Sequence, residues 1–121
     1  MISRIFLIFT LILSFNSCIK KNKDLIYEPI EKINAYDLYK EGMEAFERND
    51  FFYASKKFSE AELNFKEVDF AAKASIMSAY SLYGINFYDE ALENLDRYLK
   101  IYPSDKNVMY AHFLISIIYF E

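Results

Sequence analysis

A chain of 121 residues is long enough for one small domain, and its two Gly and two Pro give little turn punctuation, which argues against a sandwich or barrel of many short strands. The net charge is −4 and no basic stripe follows any predicted helix, so a nucleic-acid partner is not expected. A single cysteine excludes an internal disulfide framework, while 54% hydrophobic and 19% aromatic residues supply more ring surface than a core of this size needs.

Residues 1–17 read as a secretory signal: a short start carrying Arg4, an apolar run over residues 5–13, and Ser17 before the break. The run is short for a bilayer span, and a retained single anchor is the competing reading. Phe15-Asn16-Ser17-Cys18 resembles the lipobox of bacterial lipoproteins, a Leu–small–small–Cys pattern; Ser17 fits it, and Phe15 and Asn16 depart from it. The resemblance implies a lipidated Cys18. Ile19, standing where an aspartate would retain such a protein in the inner membrane, implies the outer membrane, with the chain anchored on its periplasmic face. Loss of residues 1–17 removes only the charge of Arg4, leaving about −5. Residues 18–34 form a polar tether whose Lys20, Lys21 and Lys23 are solvated charges.

Helical periodicity begins at Ala35. Tyr36, Tyr39, Met43 and Phe46 share one face of a first helix, and Leu38, Gly42 and Ala45 an adjacent one. Asn49-Asp50 interrupts. Phe51, Ala54, Phe58, Ala61 and Phe65 form the stripe of a second helix. A third is predicted over residues 70–83, with Ala71, Ala74 and Met77 on one face and Gly84 as a left-handed cap. Tyr88, Ala91, Leu95, Tyr98 and Tyr102 mark a fourth, stopped by Pro103, and Ser104 or Asp105 is expected to cap a fifth.

The expected fold is all-α, with short connections between antiparallel neighbours. Gly42 precedes Ala54 by 12 residues and Ala61 by 19; Ala79 stands at the same distances from Ala91 and Tyr98, 37 residues further on. Small residues at Gly42/Ala54 and Ala79/Ala91 let two helices of a hairpin approach, with Phe58 and Leu95 filling the space beside them. These positions resemble the tetratricopeptide repeat, against a plain helical bundle as the alternative. The resemblance implies a solenoid of about two and a half hairpins over residues 35–121, with repeats near 35–68 and 71–104 and a half-repeat at 105–121. The sequence departs from the repeat at Glu41 and Tyr98, and the first unit lacks a closing Pro.

In such repeats the first helix of each pair lines a concave surface. Register assigns to it Tyr36, Tyr39, Met43 and Phe46, then Lys73, Ile76, Tyr80 and Tyr83, then Asn107, Tyr110, Leu114 and Ile117. That trough would suit an extended, aromatic-rich polypeptide, since Tyr offers contact area with few rotors. The competing reading packs these rings inside the solenoid.

No enzyme is expected. His112 is the one histidine, Cys18 is spent on the anchor, and no zinc or iron ligand set or phosphate-cradling loop is evident, so neither a metal nor a cofactor is expected. Asp89, Glu90, Glu93 and Asp96 suit a helix N-terminus and a solvated face.

The order Ala79-Tyr80-Ser81-Leu82-Tyr83, Tyr88-Asp89-Glu90-Ala91, Asp96-Arg97-Tyr98-Leu99-Lys100-Ile101-Tyr102-Pro103 and Val108-Met109-Tyr110-Ala111 resembles the BamD (ComL) family, lipoprotein subunits of the outer-membrane β-barrel assembly (BAM) complex. The resemblance covers most of residues 36–121 and is to the N-terminal portion of an array of about five repeats. It implies binding of unfolded barrel precursors and of a BamA-type barrel subunit. A different periplasmic tetratricopeptide module, such as an envelope or division coordinator, is the alternative.

Overall fold

The structure is a computed structural model that describes residues 34–121. The expected signal, Cys18 and the tether up to residue 33 lie outside the described residues. Among the described residues five helices follow in order: α1 Ala35–Glu47, α2 Phe51–Asn64, α3 Val68–Gly84, α4 Tyr88–Ile101 and α5 Val108–Ile118. Among the described residues there is no strand, and no helix is long and apolar enough to cross a membrane.

Local chemistry sets the helix ends. The Asn34 side chain accepts from the backbone N–H of Tyr36 at 3.0 Å, and Asp50 accepts from that of Tyr53 at 3.3 Å, each satisfying a donor that the helix itself leaves free. The turns inside the two hairpins are alike. Asn49 and Asn86 adopt left-handed backbones at φ 61° and 62°, and the next residue's N–H reaches back to the carbonyl of Ala45 or of Leu82. The left-handed cap expected at Gly84 is therefore displaced to Asn86. Asparagine tolerates positive φ through its short polar side chain, whereas Gly84 ends α3 with its α-carbon against the Phe51 ring, which a Cβ would meet at 3.3 Å. Two other boundaries also differ from expectation. α3 runs two residues earlier and one later than 70–83. α5 starts at Val108, because the Asp105 side chain caps a turn ahead of the helix, accepting from the backbone N–H of Asn107 at 2.9 Å.

Packing is built on small residues. Phe58 is fully buried with Ala45 and Ala54, and its ring would lie 2.8 Å from a Cβ added at Gly42. That contact sets how closely α1 and α2 approach. In the second hairpin Ala79, Ala91, Leu95 and Tyr98 are fully buried, with Ala111, Leu114 and Ile118 of α5 completing the cluster. α3 is buried on several faces because α2, α4 and α5 all pack on it. Its serines are accommodated by hydrogen bonds. The Ser78 hydroxyl lies 2.8 Å from that of Ser59 and donates to the Ser55 carbonyl at 3.1 Å, while Asn94 donates to it at 3.3 Å. No buried side-chain polar atom among the described residues lacks a partner, as a stable interior requires.

One ion pair ties the hairpins together. Arg97 donates twice to Glu62, at 2.7 and 2.8 Å, and the Tyr102 hydroxyl donates to the same carboxylate at 3.0 Å. Burial, then the nearby Glu62 carboxylate, pushes the Tyr102 hydroxyl up to about 12. Burial and Asp105 likewise raise Tyr98. A raised folded-state value means that the stability contributed is complete below the ordinary tyrosine value near 10 and is lost as pH rises through the raised one. Loss of helical circular dichroism is therefore expected between about pH 10 and pH 12, in step with a late-ionising fraction of phenolate absorbance. Unfolding complete before any late phase appears would contradict this assignment.

Candidate functional site

A cleft of about 500 Å³ crosses the face formed by α1, α3 and α5. Phe46 of α1, Lys73, Ile76, Met77 and Tyr80 of α3, and Lys106, Asn107 and Tyr110 at the start of α5 line it. The rings run on continuously: Phe46 stacks on Tyr80 with centroids 5.6 Å apart, and Tyr110 meets Tyr80 edge-on at 6.2 Å. Tyr83 extends the row, stacked on Tyr80 at 6.2 Å and tilted against Tyr88 at 6.0 Å. Lys73 and Lys106 contribute two cations, and none of the lining residues is acidic. The Lys73 ammonium stands 5.4 Å from the centroid of the Tyr39 ring, an attraction that holds it beside the apolar floor.

Of the twelve groove residues expected from register, Phe46, Lys73, Ile76, Tyr80, Asn107 and Tyr110 meet in this cleft. Tyr36, 51% exposed, lies instead at the turn between α2 and α3. There it packs edge-on against Phe65 and Phe70 and borders a separate cavity of about 410 Å³. Tyr39 and Met43 are half-buried against the Phe58 cluster, and Tyr83 supports Tyr80 from beside the cleft. Leu114 is a correction: at 1% exposure it belongs to the core with Leu95 and Tyr98, because α5 turns that face onto α4. Ile117 is half-buried. Met77 and Lys106 were not foreseen as lining residues. Met77 lies four residues after Lys73 and three before Tyr80, a spacing that places it on their face. Lys106 lies in a connector, where helical register carries no information.

The connector itself is held by Asp105. The Tyr98 hydroxyl donates to its carboxylate, as do the backbone N–H and side-chain amide of Asn107, at 2.9 and 3.0 Å. Burial alone would raise the Asp105 carboxyl; the donors from Tyr98 and Asn107 outweigh it and hold the group below its usual range. No group of three or more His, Cys, Asp or Glu side chains among the described residues is placed to hold a metal ion.

A family model described as an outer membrane lipoprotein, YfiO, matches residues 31–121. This chain belongs to the YfiO family. It is 31% identical to the outer membrane protein assembly factor BamD of Caulobacter vibrioides over 103 residues, which cover 84% of this chain and 32% of that protein. Against the protein of the same name from Rickettsia prowazekii it is 26% identical over 101 residues, 84% of this chain and 38% of the relative. The chain thus spans about a third of the length of the curated relatives it matches. No solved structure matches it. All five helices, and with them the whole cleft, fall within the YfiO match.

Proposed function

We propose that this chain is a scaffold of outer-membrane protein assembly, lipid-anchored at Cys18 on the periplasmic face, that acts by binding rather than by catalysis. Its cleft holds unfolded β-barrel precursors, and the chain joins partner subunits, a BamA-type barrel among them. Membership of an outer membrane lipoprotein family and likeness to two BamD assembly factors support this setting.

The observation that carries the reading is the ring row in the cleft. Side chains on one face of an extended polypeptide recur roughly every 6.6 Å. The centroid spacings of 5.6 and 6.2 Å along Phe46, Tyr80 and Tyr110 are close to that repeat, so successive same-face side chains can each meet one ring. Lys73 and Lys106 suit carboxylates on the same segment. Tyrosines lose little rotamer freedom on binding, so a supported row of them binds without much ordering cost.

Photo-crosslinkers placed at Tyr80 and Tyr110 of the full chain in cells should capture unfolded barrel precursors, whereas one at Lys56, exposed on α2, should not. The Cys18→Ala chain should leave the membrane fraction. Equal capture from all three positions would sink the cleft reading, and retention of Cys18→Ala at the membrane would sink the anchor.

A further inference from the structure

The cleft has a third wall, made of Lys106, Asn107 and Tyr110, and this wall does not belong to the hairpins that carry the other two. It hangs from the connector after α4 and from the first turn of α5. Neither α5 nor its N-cap residue Asn107 supplies a side-chain cap bond to the helix. One residue takes that place. The Asp105 carboxylate accepts from the Tyr98 hydroxyl and from both the backbone N–H and the side-chain amide of Asn107, while its carbonyl accepts from the backbone N–H of Val108 at 3.2 Å. Tyr98 is fully buried in the cluster of α3, α4 and α5. The carboxylate therefore connects the buried core to Asn107, which lines the cleft.

We infer that Asp105 is a positioning residue for recognition: bolted to the core through Tyr98, it keeps Lys106, Asn107 and Tyr110 at the distance from Tyr80 that makes this surface a cleft. The inference rests on the cleft reading above. Its physical content is a population. A wall in place for only a fraction of the time lowers the apparent affinity by that same fraction. A ligand contacting all three helices meets that loss in full, and one contacting α1 and α3 alone does not.

The test uses the full 121-residue chain and a fluorescein-labelled peptide of alternating phenylalanine and glutamate residues. Asp105→Ala is expected to bind it about tenfold more weakly. Amide exchange at Asn107 and Val108 should quicken, while α1 and α2 keep wild-type protection. Asp105→Asn, which retains an acceptor oxygen, should stay near wild type. Where Asp105→Ala fails to fold, Tyr98→Phe carries the test, since it removes the hydroxyl and keeps the ring. Wild-type affinity in Asp105→Ala, or unchanged exchange at Asn107, overturns the inference while leaving the cleft intact. Failure of the peptide to distinguish wild type from Tyr80→Ala overturns the cleft reading, and the role of Asp105 in recognition falls with it.

Discussion

Replacing Phe58 by Ala is expected to lower the unfolding free energy by about 3–5 kcal/mol. The ring is 0% exposed and fills the space between α1 and α2. Several of its neighbours have little side chain with which to refill the void, and Met43 and Met77 can follow only partway. Gly42 has no side chain, Ala45 and Ala54 end at Cβ, and Tyr39, whose ring centroid lies 5.2 Å away, is itself braced against Phe65 at 6.3 Å. The loss therefore combines transfer of the ring to water with an unfilled cavity. In a domain of this size, total stability is on the order of 5–10 kcal/mol, so the variant should be marginal at room temperature. Urea titration followed by circular dichroism measures the effect. Leu63→Ala is the control, because Leu63 is 83% exposed on the same helix, and it should cost less than about 0.5 kcal/mol. Similar midpoints for the two variants would refute the packing account.

The second large effect concerns Arg97. Removing its guanidinium leaves the Glu62 carboxylate, 5% exposed, with the Tyr102 hydroxyl as its remaining close donor. A stranded buried charge costs several kcal/mol. The Arg97 side chain is 38% exposed, so water can enter the gap, and about 2–3 kcal/mol is expected. The double variant Arg97→Met/Glu62→Leu should recover most of that loss, since it removes the charge together with its partner. Additive losses in the double variant would show that the pair's value lies elsewhere. Because the bond joins α2 to α4, the variant should also loosen the first hairpin against the second.

The residues differ in how much of this was legible in the sequence. The five helices follow from apolar stripes at helical spacing, and the close approach at Gly42, Ala54 and Phe58 follows from the pairing of small residues with one large ring. Gly84 misled because glycine is the commonest left-handed residue. The better signal was Asn49 and Asn86, the same residue type 37 positions apart, at the same spacing as the rest of the repeat. Register could place Tyr36 and Tyr80 on corresponding faces. It could not tell that Phe65 and Phe70 would gather Tyr36 into a separate cluster while Phe46 and Tyr110 met Tyr80, because those partners are distant in sequence and joined only by the fold. Lys106 was illegible for a related reason, and Asp105 was legible only as a cap: connector geometry depends on what the buried Tyr98 can reach.

The two kinds of turn have a consequence for how such a protein can be altered. Within each hairpin the turn is the same tight asparagine-centred loop, and the helix pair it joins behaves as one stave. Between staves the connectors differ, spanning three residues at 65–67 and six at 102–107. Lengthening or shortening those joints re-aims whole hairpins, provided that Phe65, Tyr102 and Asp105 keep their contacts to the helices. An engineer who wished to widen the proposed groove would work beside Pro103 and Ser104, leaving Tyr102, Asp105 and every helix as they stand.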